Sequence, residues 1–245
     1  MENARTKIRA KKSLGQNFLK NQKIVERIVR AAKLSGSETV VEVGPGTGIL
    51  TEALLERAKK VIAIEKDDRL ILQLKAHFIL HPNFELIHAD ALKWQPPATP
   101  YHLVANIPYY ITSPLIDHFI GRHAQHPAVR ATILVQKEVA EKICAAPPHM
   151  NVLALHVQAF GSPKYEFTVG PKNFSPSPKV DSAVITIQRH KTPHQLPFDL
   201  IHKAFSNKRK MLRSTLGQEL CEAAGIDPTR RPETLSLDEW SRFVA

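Results

Sequence analysis

The sequence predicts an α/β protein with a doubly wound, largely parallel sheet and a small C-terminal helical domain. From Thr39 to Ala145, short apolar runs alternate with amphipathic segments of helical period, which is typical of parallel sheets with crossover helices. Beyond the polar, proline-bearing stretch His190–Pro197, only helical patterns follow. We therefore expect an α/β domain over residues 1–190 and an all-helical domain over 191–245.

The composition excludes a membrane span and favours a polyanionic partner. The 245 residues carry a formal net charge of +11 and are 43% apolar, but no apolar run reaches the ~18 residues that a membrane span needs. No apolar stretch follows the basic N-terminus, so no signal peptide is expected. Two cysteines suit a reducing cytoplasm. The basic excess favours nucleic acid, although a merely basic soluble protein remains the alternative.

The elements before Ala145 follow one another at short intervals. Apolar residues recurring at three and four predict a helix over Gln22–Leu34, with Asn21 as its N-cap. Ser113 followed by Pro114 predicts the start of a helix that runs to about Ile120. The remaining patterns predict strands at Thr39–Val43, Val61–Ile64, Phe84–His88, Tyr101–Ala105 and Arg130–Val135, and helices at Thr51–Ala58, Asp67–Ala76 and Lys137–Ala145.

The pattern changes after Pro147-Pro148. Val152–Phe160 fits either a helix or a strand, whereas Tyr165–Val169 and Val180–Ile187 predict strands that pair late in the sheet. Ser236 with Glu239 forms a capping box for the last helix. The C-terminal helices are predicted at Phe198–Phe205, Lys208–Leu216, Gln218–Ala224 and Leu237–Val244.

A strand, a glycine turn and a helix meet at Val41–Gly48 and predict a nucleoside-binding corner. Gly44, Gly46 and Gly48 let the backbone turn sharply and approach a ligand closely. Their spacing is G-x-G-x-G, so the dinucleotide pattern G-x-G-x-x-G is absent.

Acidic residues end the next two strands. Glu65 follows Gly44 by about 20 residues, where a carboxylate accepts hydrogen bonds from ribose hydroxyls; a surface ion pair with Lys66 or Arg69 is the alternative. Asp90 ends the following strand and could accept a hydrogen bond from an adenine amine, although Asp is also a frequent turn cap.

The fourth strand ends in Asn106-Ile107-Pro108-Tyr109, which predicts the reaction class. A purine amine is a poor nucleophile because its lone pair is delocalised. The Asn106 side-chain carbonyl and a proline-stiffened backbone carbonyl could hold its hydrogens and free that lone pair. Tyr109 could stack on the base. A simple turn with a core tyrosine is the alternative.

Other candidate residues lie towards the two ends of the chain. Phe174 could cover the second face of the base, or pack under the sheet. Cations in the predicted helix after Ser206 indicate phosphate contact, with a solvated helix face as the alternative; they are Lys208, Arg209, Lys210 and Arg213. Arg5, Lys7, Arg9, Lys11 and Lys12 predict a basic, phosphate-binding arm over residues 1–20, with a solvated terminus as the alternative. No metal site is expected, because His77 and His81 lack a third ligand.

Several motifs, in order, resemble the rRNA adenine dimethyltransferase family, in particular its bacterial KsgA/RsmA type. The resemblance runs through Lys12–Leu19, Glu42–Gly48, Glu65, Asp90–Leu92, Asn106–Thr112, Phe174–Val184 and Ala204–Lys210. It implies a Rossmann-like class I methyltransferase sheet that uses S-adenosylmethionine. The cofactor residues that it implies are Asn17, Leu19, Gly44, Glu65, Asp90 and Asn106.

The resemblance also implies a substrate, namely two adjacent adenosines near the 3′ end of 16S rRNA in the small ribosomal subunit or its precursor. A monomeric cytoplasmic enzyme is expected, whose Asn106-Ile107-Pro108-Tyr109 segment grips the target amine and base. Two alternatives remain open from the sequence: an erythromycin-resistance-type enzyme that modifies large-subunit rRNA, and a ribosome-assembly or nucleic-acid-binding factor without turnover.

Overall fold

A seven-stranded mixed sheet forms the centre of the molecule. The structure, a computed structural model, describes residues 10–11 and 14–244. The expectations for Arg5, Lys7, Arg9 and Lys12 therefore lie outside the described residues. Within the described part, no helix is long and apolar enough to cross a membrane.

The strands and helices follow the predicted order. The strands are β1 (Phe18–Leu19), β2 (Thr39–Val43), β3 (Lys60–Glu65), β4 (Phe84–His88), β5 (Tyr101–Asn106), β6 (Arg130–Gln136), β7 (Gly161–Val169), β8 (Phe174–Ser175) and β9 (Ser182–Arg189). The helices are α1 (Gln22–Ala32), α2 (Ile49–Leu55), α3 (Asp68–His77), α4 (Thr112–Phe119), α5 (Lys137–Ile143), α6 (Val152–Gln158), α7 (Phe198–Phe205), α8 (Leu212–Thr215), α9 (Gln218–Ala223) and α10 (Leu237–Ser241).

The main sheet has the strand order β4-β3-β2-β5-β6-β9-β7. The first five strands are parallel, and β9 pairs antiparallel with both β6 and β7. The chain winds outward from β2 to β4 and then returns to place β5 on the other side of β2. The sheet therefore has its topological switch point between β2 and β5, where open α/β sheets bind ligands.

Apolar side chains cover both faces of this sheet. One core cluster includes Leu115 of α4 and Ile143 of α5, and the other includes Val25 of α1 and Leu54 of α2; all four are fully or almost fully buried. Burial on both faces explains why the parallel strands are nearly continuous apolar runs. Polar side chains are then found mainly where the parallel strands end, at Glu65, Asp90 and Asn106.

The C-terminal helices share a third core with α6. Trp240 and Ile201 are fully buried in this cluster, together with Ala154 and Leu155 from α6. The segment Val152–Phe160, which fits a helix or a strand by its sequence, forms the helix α6 over Val152–Gln158, and its N-cap Asn151 accepts from the Ala154 N–H. The capping box of Ser236 and Glu239 is confirmed at the start of α10.

Two predicted elements differ from the structure. Ser113 does not cap α4: the helix begins at Thr112, directly after the 3-10 turn Tyr109–Ile111, so Ser113 lies inside its first turn. The helix predicted over Lys208–Leu216 is also wrong, since residues 206–210 form a turn and only α8 is helical. In that turn the Lys210 N–H donates to the Asn207 carbonyl over 2.8 Å.

Candidate active site

A cleft opens at the carboxyl ends of the central strands, on both sides of the switch point. It is lined by 14–19 before α1, 42–47 with Ile49 and Leu50, 64–66 after β3, 89–92 after β4 and 106–111 after β5. Every cofactor residue expected from the sequence lies on this lining, as does the whole of Asn106-Ile107-Pro108-Tyr109. The fold thus brings together segments that are up to about ninety residues apart in the chain.

The glycine turn after β2 forms the floor of the cleft. Gly46 has a φ of +59°, and a Cβ atom there would lie 2.9 Å from the Phe18 ring. Only glycine therefore fits between the turn and the N-terminal segment without displacing that ring. The Gly44 N–H is fixed to the Ile64 carbonyl over 3.0 Å, so the turn is tied to the end of β3.

Glu65 ends β3 with its carboxylate turned towards the glycine turn. Its Oε1 accepts the N–H groups of Lys66 and Asp67, each over 2.9 Å, and its Oε2 accepts the Gly46 N–H over 3.3 Å. Glu65 is 7% exposed, and burial raises the pKa of its carboxyl although these three donors act against the rise. The alternative interpretation, an ion pair with Lys66 or Arg69, does not hold, since Lys66 pairs with Asp90 and Arg69 with Asp67.

Glu42 lies at the bottom of the cleft and was not among the residues expected from the sequence to act there. It is 1% exposed, and neither carboxylate oxygen has a hydrogen-bond partner among the described residues. Burial raises the pKa of Glu42 to about 8, while the nearby Thr51 hydroxyl lowers it only in part. A buried, unpaired carboxyl facing a cleft is suited to a cationic or hydrogen-donating ligand group.

Asp90 lies after β4 and also lines the cleft. Its Oδ2 forms an ion pair with Lys66 Nζ over 2.8 Å, and its Oδ1 accepts the Leu92 N–H over 3.1 Å. The hydrogen bond from Lys66 is the main reason that the pKa of Asp90 is lowered. The Asp90 carboxylate therefore stays ionised, and both of its oxygens are acceptors.

The segment before α1 forms a wall over the glycine turn. Its β1 strand pairs antiparallel with β8, with Leu19 opposite Phe174. Gln16 Nε2 donates to Asp67 Oδ2 over 2.9 Å, which ties this wall to the loop after β3. Asn17 and Leu19, both expected at the cofactor, line the cleft, although Leu19 is 3% exposed and also packs in the core.

The Asn106–Tyr109 segment leaves β5 directly beside the glycine turn. Asn106 Nδ2 donates to the Asn17 carbonyl over 3.4 Å, which leaves Oδ1 as an acceptor. No described residue donates to the Ile107 carbonyl, whereas the Pro108 carbonyl accepts the Ile111 N–H over 3.2 Å. Two carbonyl oxygens, from Asn106 and Ile107, are therefore available to an incoming donor.

Tyr109 is held at both ends. Its hydroxyl lies 2.7 Å from Ser182 Oγ, and its main-chain carbonyl accepts the Thr112 hydroxyl over 3.0 Å. Burial raises the pKa of the Tyr109 hydroxyl, so the group is neutral. Tyr109 therefore presents a ring to the cleft, while its hydroxyl is already engaged.

Phe174 does not face the cleft in this structure, which corrects its predicted position against a base. It is 1% exposed and packs in the core cluster that contains Leu19 and Val25. Strand β8 is the reason: opposite Leu19, it directs the Phe174 side chain inward and leaves its neighbour Ser175 exposed.

The basic residues after Ser206 project from a turn rather than from a helix. Lys208, Arg209 and Lys210 are exposed in that turn, and Arg213 is exposed on α8. Within the described part of the chain, none of the four takes part in an ion pair. In the same part, His, Cys, Asp and Glu side chains form no cluster of three that could hold a metal ion.

Comparison with known sequences shows the family to which this chain belongs. The sequence model of the family described as "Ribosomal RNA adenine dimethylase" matches residues 7–244. The chain belongs to this family. A protein of Dehalococcoides mccartyi named "Ribosomal RNA small subunit methyltransferase A" is 41% identical over 96% of the chain and 88% of its own length. A protein of the same name from Clostridium botulinum is 39% identical over 95% of the chain and 92% of its own length.

Solved structures of similar proteins share the fold of this chain. A dimethyladenosine transferase from Plasmodium falciparum has a TM-score of 0.80 and 28% identity, over 92% of this chain and 95% of that one. The 23S rRNA methyltransferase ErmE has a TM-score of 0.75 and 29% identity, over 93% and 98%. The sheet is thus that of the class I methyltransferases, as expected from the sequence.

Proposed function

We propose that this chain uses S-adenosylmethionine to dimethylate the exocyclic amines of two adjacent adenosines near the 3′ end of 16S rRNA. Its substrate would be the small (30S) ribosomal subunit or a precursor of it. The observation that carries the proposal is the position of Asn106-Ile107-Pro108-Tyr109 in the same cleft as the glycine turn, Glu65 and Asp90. The names of relatives about 40% identical support the choice of the small subunit.

The residues of the cleft fit the proposed cofactor. Gly44 and Gly46 expose bare backbone at two positions of the turn that line the cleft, against which an extended ligand can lie. Glu65 is an acceptor for ribose hydroxyls and Asp90 for the adenine amine, and the unpaired carboxyl of Glu42 suits the cationic amino-acid end. When bound, S-adenosylmethionine supplies a methyl group on a positively charged sulfur, which an amine lone pair can take by direct displacement.

Asn106-Ile107-Pro108-Tyr109 would bind the adenine that accepts the methyl group. Asn106 Oδ1 and the Ile107 carbonyl would accept the two hydrogens of the adenine amine, which favours a pyramidal nitrogen with a free lone pair. Tyr109 would stack on the base, which is worth about 1–3 kcal/mol per base. The target base must leave its stack to reach the cleft, at a cost of a few kcal/mol that is smallest in a loop.

Charge and exposure support RNA as the substrate. The chain carries a net charge of +11, and exposed cations at Lys208–Lys210 and Arg213 have no ion-pair partner in the described part, so they are available to phosphates. We further propose that the enzyme acts in the cytoplasm as a monomer, since neither RNA binding nor the cleft calls for a second copy.

One labelling experiment tests the proposal. The protein is incubated with methyl-labelled S-adenosylmethionine and either undermethylated 30S particles, naked 16S rRNA or 50S precursors, and the label is mapped. We expect two dimethylated adenosines near the 3′ end of 16S rRNA. Label confined to large-subunit rRNA would overturn the choice of substrate and favour the erythromycin-resistance type, whereas donor binding without transfer would favour an assembly factor.

A further inference from the structure

The two tyrosines after Pro108 differ in how firmly they are held. Tyr109 is half-buried, and its hydroxyl lies 2.7 Å from Ser182 Oγ. Tyr110 is 64% exposed, and no hydrogen bond of its hydroxyl is seen among the described residues. Both line the cleft, so the fold selects one of two adjacent tyrosines and fixes its ring.

The partner hydroxyl comes from a distant part of the sheet. Ser182 is the first residue of β9, and it lies opposite Gln136, the last residue of β6. Because β9 runs antiparallel to β6, its first residue reaches the edge at which β5 and β6 end. A parallel strand in the same place would put its first residue at the opposite edge, away from Tyr109.

The hydroxyl of Ser182 is buried beside that of Tyr109. Ser182 is 0% exposed, and Tyr109 is the side-chain partner found for its hydroxyl in the described part. A buried hydroxyl needs one partner at least, so the pair satisfies both groups at once. With the Thr112 bond on the main-chain carbonyl of Tyr109, the residue is held both at its main chain and at its hydroxyl.

We propose that Ser182 is a positioning residue, whose hydrogen bond holds the Tyr109 ring in the orientation that stacks on the target adenine. The inference rests on the proposed function, because it concerns the base that the cleft receives. Fixing the ring beforehand reduces the rotational freedom that Tyr109 loses when the base arrives. The hydroxyl of Tyr109 then takes no part in proton transfer, and the ring alone contacts the substrate.

A double-mutant cycle tests this inference. Ser182→Ala, Tyr109→Phe and the double variant are compared for kcat, KM for RNA and donor affinity. Each single change removes the same hydrogen bond, so each is expected to lower kcat/KM about threefold to tenfold. The kcat/KM of the double variant is expected to equal that of the less active single variant. The affinity for the methyl donor is expected to stay unchanged in all three variants.

Controls separate positioning from a general loss of structure. Tyr165→Phe removes a similar bond of 2.7 Å to Thr168 on β7, away from the cleft, and should leave kcat/KM unchanged. Ser182→Thr keeps the hydroxyl and should restore most of the activity that Ser182→Ala loses. The affinity for an RNA with an abasic site at the target should be equal in the wild-type protein and in Ser182→Ala.

Two kinds of failure can be told apart. If the wild-type protein methylates no rRNA, the proposed function fails. If the wild-type protein is active but the single effects multiply in the double variant, the role of Ser182 is overturned. Weaker binding of the abasic RNA by Ser182→Ala would also overturn it, because no base is then present for Tyr109 to contact.

Discussion

Glu42 shows how one buried side chain ties the cleft to the stability of the fold. The carboxyl is fully enclosed at the end of β2 and lacks a hydrogen-bond partner among the described residues. Its ionised form is therefore costly in the folded protein. Residues that are costly to the fold and face a cleft are often retained for a ligand.

Replacing Glu42 with glutamine should remove a pH dependence of folding. The pKa is about 8 in the folded protein against 4.5 ordinarily, so the folded state binds the extra proton between these values. The contribution of Glu42 to the free energy of unfolding is then highest below about pH 4.5 and declines as the pH rises to about 8. Glu42→Gln should raise the urea midpoint at pH 9 clearly more than at pH 6.

The exposed Glu85 on β4, paired with Lys60 over 2.6 Å, offers a matched control. Glu85→Gln should change the midpoint little and equally at both pH values, since exposed ion pairs contribute little. An equal gain for Glu42→Gln at pH 6 and pH 9 would contradict the prediction.

Asn106→Ala should nearly abolish methyl transfer while donor binding stays measurable. The change removes one of the two carbonyl oxygens offered to the amine. Loss of one fixed polar group at a reacting centre typically costs about 100-fold or more in kcat. Single-turnover transfer and calorimetric donor binding would be measured side by side, with the exposed Gln125→Ala as control. Unchanged turnover would refute the role of Asn106.

At the scale of elements, short irregular segments decide the shape of the cleft. The wall over residues 14–19 is held by the two paired residues of β1, by the bond from Gln16 to Asp67 and by the bond from Asn106 to the Asn17 carbonyl. The turn at 206–210 differs from this wall, because its side chains are exposed. Both segments lie next to regular elements that the sequence predicts well.

Replacing Lys208, Arg209 and Lys210 together by alanine should weaken RNA binding more than catalysis. Each lost phosphate contact should reduce the slope of log K against log salt by about 0.7–0.9. KM for RNA should therefore rise while kcat at saturating RNA stays close to that of the wild type. Filter binding at several salt concentrations measures the slope.

Arg57 and Lys59 provide a control for this experiment, in which effects are compared per cation removed, two here against three. Both are exposed and lie just before β3, at the end of the sheet opposite the cleft. Their double replacement by alanine removes charge without touching the proposed RNA surface. An equal effect of the two sets of changes would show that net charge alone matters.

At the scale of the whole molecule, the third core crosses the domain boundary expected after residue 190. Met150, Ala154 and Leu155 pack with Ile201 and Trp240, so the C-terminal helices cover α6. The domain boundary after residue 190 therefore remains a prediction. The third core contains residues from both sides of it.

A fragment of residues 1–190 should be markedly less stable than the full chain. Its α6 would expose Leu155 and Ala154, both fully buried in the full chain. At about 25 cal/mol per Å² of apolar surface, this exposure costs several kcal/mol. Thermal unfolding and light scattering would measure it. A fragment that is monomeric and unfolds at the temperature of the full chain would contradict the prediction and support an independent domain.

Much of the fold is determined by local sequence. Apolar periodicity predicted the order of strands and helices up to Ile143, because strands buried on both faces are short apolar runs. Gly44–Gly48, Glu65, Asp90 and Asn106-Ile107-Pro108-Tyr109 were expected on one edge, because the ends of parallel strands meet there. The cleft confirms that all of these residues except Gly48 line one site. Their individual roles remain predictions.

Tertiary structure decided the rest, because the contacts concerned are distant in the chain. The antiparallel direction of β9 places Ser182 beside Tyr109, and the pairing of β8 with β1 turns Phe174 into the core. Burial by neighbouring elements, which periodicity does not report, leaves Glu42 unpaired. The basic segment after Ser206 has the composition of a helix, yet it forms a turn, since helix propensity is weak and local backbone bonds can override it.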